Sequence, residues 1–348
     1  MGLPDKRLSP SYFHTRQMRR MPKPLAFNPA APFERWRAQV RRTLTTLLGP
    51  VERETGPVSA RVLCEEERPG YLLQKISFRT LPDVLNIAYL LIPEKRQGRV
   101  PAVICLQGHS TGCHISIGKP IYPQDRKSIG GGRDIAVQAV RRGYVALALE
   151  QRCFGERRER LQKVVSPHGC HDAVMHSLML GRTMIGERVS DVMRAVDFLT
   201  QQEFVDPCAI VCTGNSGGGT VTFYAACLDR RISVAAPSCA FCAWEDSIMR
   251  IYHCADNYVP RGLCSFGMED LACLIAPRPL VVIAGAEDPI FPLAGVKKAF
   301  STVRRIYCRA GVPDRAVLAV GKEGHRYYPD LAWPLIERFV PIVATGKT

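Results

Sequence analysis

A chain of 348 residues, 46% of them hydrophobic, has room for one large α/β domain with additions or for two small ones. Its net charge is +15, and residues 1–50 carry ten Lys and Arg against two Asp and Glu. The aromatics are scattered and no nucleic-acid module follows, so the excess reads as a solvated arginine-rich extension, with no nucleic acid expected as partner. No apolar run reaches the ~18 residues of a membrane span, no apolar stretch follows the first charges as in an export signal, and Lys6 stands where a myristoylation motif needs Ser or Thr. A cytoplasmic protein without membrane contact is the expectation.

Residues 1–30, rich in proline and basic residues and without period, are expected to be loop or partly disordered. From Pro32 to Leu48, Phe33, Trp36, Val40, Leu44, Leu47 and Leu48 fall at helical spacing, and Gly49-Pro50 stops the helix. Alternating segments from Leu72 to Phe78 and from Val84 to Ile92 predict two strands joined near Pro82-Asp83. Val103 to Leu106 is a short continuous apolar run, as in a buried parallel strand. A glycine-bearing loop, Gly108 to Gly132, leads to a helix from Arg133 to Arg142 and a strand from Tyr144 to Leu149. Helices are expected over His171 to Gly181 and Thr183 to Thr200.

A strand then ends at Cys212, and a helix begins at Thr220. Ile232 to Ala236, Leu280 to Ala284 and Ala316 to Val320 read as further strands. Leu293 to Ile306 and Leu331 to Val343 read as helices. This alternation predicts a mostly parallel sheet with helices on both faces. The expected organisation is a basic N-terminal extension with a helix over 1–50 and an α/β domain over 51–348. A long insert at about 237–279 carries Phe241, Trp244, Met249, Tyr252, Tyr258 and Phe266, and such an insert suits a lid, an acyl pocket or an aromatic-packed cap.

The fourteen cysteines do not form a metal or disulfide framework by spacing. Cys105, Cys212, Cys227 and Cys273 lie in apolar runs and read as small buried hydrophobes. Cys239 and Cys242 form one C-x-x-C with Cys254 nearby, and His168, Cys170 and His171 lie close together, but neither set completes a zinc pattern. No metal and no cofactor are expected.

The stretch Gly214-Asn215-Ser216-Gly217-Gly218 sits between a strand and a helix, the context that a Gly-x-Ser-x-Gly nucleophile elbow requires. A serine hydroxyl is a poor nucleophile at neutral pH and needs a base. On a sheet of this kind the partners follow in the order serine, acid, histidine. His325, in the loop after the last strand, is favoured as base over His253, which precedes any suitable acid. Asp288, in the Asp-Pro turn after Leu280 to Ala284, is favoured as acid, with Glu287 as runner-up; it would fix the imidazole tautomer. An oxyanion hole needs two N–H groups, expected from Gly217 and from the loop Gln107-Gly108-His109, through the His109 amide.

Taken with Glu150-Gln151-Arg152-Cys153-Phe154-Gly155-Glu156-Arg157, Gly181-Arg182-Thr183 and Gly186-Glu187-Arg188, these motifs resemble the acetyl xylan esterase-like and dienelactone hydrolase-like branch of the α/β-hydrolases. The resemblance covers about residues 30 to 345. It implies an α/β-hydrolase fold and carboxylic-ester hydrolysis through an acyl-serine, without metal or cofactor. Ser216 would be nucleophile, Asp288 acid, His325 base, and Gly217 and His109 oxyanion donors. Dienelactone hydrolases proper carry cysteine where this chain has Ser216, and the absence of an export signal disfavours polymeric xylan. A short acyl ester of a sugar or other small molecule is the expected substrate. The same machinery serves thioester, amide or peptide substrates, a non-catalytic binding protein of this fold is a further alternative, and homo-oligomerisation stays open.

Overall fold

The computed structural model describes residues 5–159 and 169–342. A single nine-stranded sheet organises them, in the order β1-β2-β3-β5-β4-β6-β7-β8-β9. In chain order these are β1 (Ala60–Arg68), β2 (Tyr71–Leu81), β3 (Val84–Pro93), β4 (Val100–Leu106), β5 (Val145–Leu149), β6 (Val205–Asn215), β7 (Ile232–Ser238), β8 (Leu280–Gly285) and β9 (Ala316–Gly321). The first three pair antiparallel, β3 pairs antiparallel with β5, and from β5 to β9 every pairing is parallel. The strand ends after β4, β6, β8 and β9 therefore lie along one rim, where open parallel sheets place their ligands.

Alternation divides the core in two. Ala102, Ile104 and Leu106 of β4 enter one cluster, and Val103 and Cys105 enter the other. Helices α2 (Phe33–Leu48), α6 (Met184–Thr200), α7 (Gly217–Leu228) and α8 (Leu293–Arg309) supply the first face. Helices α4 (Ile135–Arg141) and α9 (Pro329–Phe339) supply the second. α2 forms because Trp36, Val40, Leu44 and Leu48 recur every four residues, and all four are buried. Gly49, at φ 79°, ends it against the backbone of Gly181 and Arg182. The remaining helices are α1 (Pro10–Arg20), α3 (Asp125–Ser128) and α5 (His171–Met179). Cys105, Cys212, Cys227 and Cys273 are buried as expected, and all fourteen thiols are free.

The structure corrects two expectations. Residues 10–20, read as loop, form α1; Ser9 and Pro10 start it, and none of its residues is buried. β1 has no counterpart in the sequence reading, because seven of its nine residues are exposed and its middle is Cys64-Glu65-Glu66-Glu67. It exists through pairing with β2 and has the charges and the irregularity between Val62 and Cys64 that protect an edge strand. The predicted end of the last helix at Val343, the residues before Asp5, and His168 lie outside the described residues.

Residues 237–279 leave β7 and carry four 3-10 turns, Trp244–Asp246, Ala255–Asn257, Gly262–Cys264 and Met268–Leu274. Phe241, Trp244 and Phe266 are buried in the main core, whereas Tyr252 is 87% exposed. The insert is thus packed as a cap by some of its aromatics and presents others outward. A cavity of about 1090 Å³ lies between α1 and this insert, and none of Ser216, Asp288 and His325 lines it. No helix of the described residues is long and apolar enough to cross a membrane.

Candidate active site

Ser216 joins β6 to α7 at φ 55°, ψ −124°, a conformation that a residue with a side chain adopts only when its surroundings impose it. Its N–H donates to Ser238 O of β7 at 2.9 Å, and Thr220 N–H donates back to Ser216 O at 2.9 Å. The bend needs glycine on both sides. A Cβ on Gly218 would collide with the Leu106 carbonyl, and one on Gly108 would stand 2.8 Å from Ser216 Cβ. The same Gly108 position is 3.4 Å from Gly217 N, so the loop after β4 runs directly beside the first amide of α7. That amide has no partner within the helix, because the helical ladder begins later, and the helix dipole favours negative charge there.

His325 and Asp288 come together from the loops after β9 and β8. His325 Nδ1 lies 2.9 Å from Asp288 Oδ2, the carboxylate being fully buried. Asp288 Oδ1 accepts the amides of Ile290 (2.8 Å) and Phe291 (3.1 Å). Burial opposes ionisation of Asp288, but the bonds from His325 and these amides outweigh it and hold the carboxyl below its ordinary range. With Nδ1 engaged, Nε2 is the nitrogen left to exchange a proton. Ser238 Oγ donates to Arg326 O at 3.3 Å, which ties the Arg326–Tyr327 peptide, next to His325, to the strand end that anchors Ser216. Phe291 stacks on the His325 ring at 5.8 Å. Glu287, the alternative acid, is exposed, its amide bonded to Glu323 O. His253 lies edge-on to Phe291 and contacts Asn257 Nδ2 at 3.3 Å rather than a carboxylate.

His109 is placed beside the elbow: a Cβ on Gly217 would be 3.5 Å from its Nδ1. Its other nitrogen, Nε2, is 3.1 Å from Asp256 Oδ2 and 4.0 Å from Cys170 Sγ. Cys170 and Cys254 bring their sulfurs to 2.8 Å. Arg188, buried in α6, reaches Asp256 Oδ2 at 2.8 Å and lies over Phe154, whose ring also meets His109 edge-on at 4.8 Å. Burial works against a charged His109, but Asp256 and Cys254 outweigh it and push its pKa up to about 9.

Sequence spacing does not bring Cys170, Cys254, Asp256 and Arg188 to the site: Cys170 and Cys254 fall in separate local sets, and Asp256 and Arg188 lie in different segments. Cys239 packs with Asp288 and His325, while Cys242 points to Pro292 O, so among the described residues the C-x-x-C does not form one donor group.

The Glu150–Arg157 and Gly186–Arg188 motifs meet beneath this rim. Arg152 binds Asp191 through two nitrogens (2.9 and 3.0 Å) and Glu187 through a third (2.9 Å). Arg157 reaches Asp191 at 2.6 Å. Arg188 donates to Arg152 O at 2.8 and 3.1 Å. This network fixes the loop after β5 to α6 and so holds Phe154 and Arg188 against His109. A groove of about 350 Å³ beside His325 is lined by Lys127, Ser128, Arg133, Glu323 and Arg326, four of which carry charge.

The sequence and the fold match a known group of proteins. The model of the Abhydrolase family matches residues 4–320. The chain is 28% identical over 297 residues to YtaP of Bacillus subtilis (strain 168), named a hydrolase, covering 83% of this chain and 94% of that one. Among solved structures it is similar to BF1801 from Bacteroides fragilis NCTC 9343, named for acetyl xylan esterase. The TM-score is 0.71 at 21% identity, covering 94% of this chain and 84% of the other. A glucuronoyl esterase from Solibacter usitatus gives 0.65 at 15% identity, covering 92% and 96%. Acetyl xylan esterase 1 from Thermoanaerobacterium sp. JW/SL YS485 gives 0.57 at 14%, covering 93% and 98%. At these identities the structural likeness shows the fold. With the family model spanning nearly the whole chain, this protein belongs to the Abhydrolase family and has the α/β-hydrolase fold.

Proposed function

We propose that the protein is a serine carboxylesterase acting through an acyl-serine on short acyl esters, such as acetyl esters, of a sugar or other small molecule. The observation that carries the reading is the 2.9 Å contact of His325 Nδ1 with buried Asp288, on the rim that holds Ser216 in its strained turn. Ser216 Oγ attacks the ester carbon while His325 Nε2 takes its proton. The oxyanion forms against the amides of Gly217 and His109. The alkoxide leaves with the proton from His325, and water, deprotonated by the same nitrogen, hydrolyses the acyl-serine.

Asp288 keeps the proton of His325 on Nδ1 and stabilises the imidazolium that each step creates. Lys127, Arg133, Glu323 and Arg326, which line the groove beside His325, offer partners to the hydroxyls of a sugar-like alcohol portion. The esterases among the structural neighbours support the same class of bond. Purified protein should hydrolyse p-nitrophenyl acetate and acetylated monosaccharides and be labelled by a fluorophosphonate. Ser216→Ala should abolish labelling and lower kcat by on the order of 10⁴-fold or more. Full esterase activity in a folded Ser216→Ala protein would refute the proposal, and faster turnover of amide than ester chromogens would reassign the bond.

A further inference from the structure

Three separate segments bring metal-donor atoms together next to the elbow. His109 comes from the loop after β4, Cys170 from the start of α5, and Cys254 and Asp256 from the insert. Their ligand atoms, one nitrogen, two sulfurs and one carboxylate oxygen, all lie within 4.8 Å of one another. Both thiols are free. Asp256 Oδ2 is fully buried and lacks an aligned hydrogen bond; its close neighbours are the nitrogens of His109 and Arg188, in charge contact.

We propose that His109 Nε2, Cys170 Sγ, Cys254 Sγ and Asp256 Oδ2 form a tetrahedral site for a divalent ion of the zinc class. The donor set favours that class: two thiolates with one imidazole and one carboxylate suit zinc and disfavour magnesium or calcium, which take oxygen. Zinc bonds of about 2.0–2.3 Å put tetrahedral ligand atoms roughly 3.3–3.8 Å apart. The present set brackets that range. The two sulfurs, at 2.8 Å, would separate by about 1 Å, and the widest pairs would close by a similar amount.

Charge also balances. Two thiolates cancel the ion, and the Asp256 carboxylate cancels buried Arg188, so the assembly is neutral with His109 uncharged. Uptake of the ion releases the two thiol protons and any proton on Nε2. A disulfide between Cys170 and Cys254 would need the sulfurs to close to about 2.05 Å and would leave the convergence of His109 and Asp256 unexplained.

The site would position the elbow rather than carry out the reaction. An ion on Nε2 obliges His109 to keep its proton on Nδ1, the nitrogen beside Gly217. It would also clamp the loop after β4 to the insert and to α5. This inference goes beyond the esterase reading and does not depend on it.

The test is cobalt loading of the full-length, reduced, metal-depleted protein. One equivalent should bind, giving thiolate-to-cobalt charge-transfer absorption and the visible bands of tetrahedral cobalt, and zinc should displace it. Cys170→Ser combined with Cys254→Ser should lose the charge-transfer band, and Asp256→Asn should weaken zinc binding by more than the roughly 10–100-fold typical of supporting residues. Cys64→Ser, at an exposed position on β1, should leave the spectrum unchanged.

If the double variant does not fold, alkylation of wild-type protein decides: zinc should protect Cys170 and Cys254 together, read by peptide mass. Absence of a stoichiometric band in reduced wild-type protein overturns the proposal, as does its persistence in the folded double variant. So does a Cys170–Cys254 disulfide in the purified protein that, once reduced, still takes up no cobalt.

Discussion

Two histidine–aspartate pairs flank the nucleophile elbow, and they differ in what else their carboxylate holds. Asp288 is satisfied by neutral amides, those of Ile290 and Phe291, and its second oxygen meets His325, with no guanidinium beside it among the described residues. Asp256 meets His109 and the buried guanidinium of Arg188 through the same oxygen, while Asn257 Nδ2 donates to its other oxygen at 3.0 Å. The first arrangement leaves the carboxylate's charge directed at one imidazole, as orienting a base requires. In the second, the Asp256 cluster pushes His109 up to about 9, so the ring is charged at neutral pH and has no lone pair for a serine proton. With Nε2 on an ion instead, that lone pair is equally engaged. Identical residue types therefore do different work, and the difference lies in the neighbours of the acid.

The largest effect should come from exchanging the histidines. His325→Ala should lower kcat/KM on p-nitrophenyl acetate by about 10⁴-fold, since it removes the proposed base. His109→Ala keeps its backbone amide and should cost at most about 10²-fold, the scale of one misplaced oxyanion donor. Equal losses in the two variants would erase the distinction between base and positioning residue. The aspartates should separate activity from stability. Asp288→Asn leaves an acceptor for the amides but permits the wrong imidazole tautomer, so kcat should fall by about 10⁴-fold with a small change in Tm. Asp256→Asn strands the guanidinium of Arg188 in the core and should cost about 3–5 kcal/mol in urea unfolding. An Asp256→Asn protein as stable as the parent would show that Arg188 has another counter-charge.

How legible each element was in the sequence follows from where its cause lies. The Ser216 turn was readable because its requirement is local: small residues on either side of one strained bend. α2 was readable from four buried side chains at a spacing of four. β1 was not, because its residues face solvent and its only cause is the neighbouring strand. Nor was α1, an arginine-rich helix that buries nothing. Asp288 could be preferred to Glu287 from the Asp-Pro turn alone, and the structure buries the first and exposes the second. The cluster of His109, Cys170, Cys254 and Asp256 has no such signature. Its donors come from three distant segments, and only the parallel order of the strands gathers their loops on one rim.

A third buried carboxylate near the same rim sharpens the contrast, because among the described residues its bonds come from amides rather than from an imidazole or a guanidinium. Glu150, at the end of β5, accepts the Cys113 amide at 3.1 Å on both oxygens and sits against Gly112 and Gly155. Burial pushes its pKa up to about 7, the amides of Cys113 and Glu156 offsetting only part of the cost, and the charge of Glu156 adds to the rise. The folded-state value thus lies above the unfolded one. Between about 4.5 and 7 the unfolded chain gives up a proton that the folded chain keeps, so Glu150 makes stability fall as pH rises through that window and contributes no further change above it. Glu150→Gln keeps an acceptor for Cys113 and removes the titration. Urea unfolding at pH 5 and pH 7.5 should show a smaller decline in the variant than in the parent, by up to about 3 kcal/mol. Parallel declines in the two proteins would mean that the Cys113 and Glu156 amides already hold Glu150 ionised, as those of Ile290 and Phe291 help to do for Asp288, and that an imidazole partner is not what keeps a carboxylate charged on this rim.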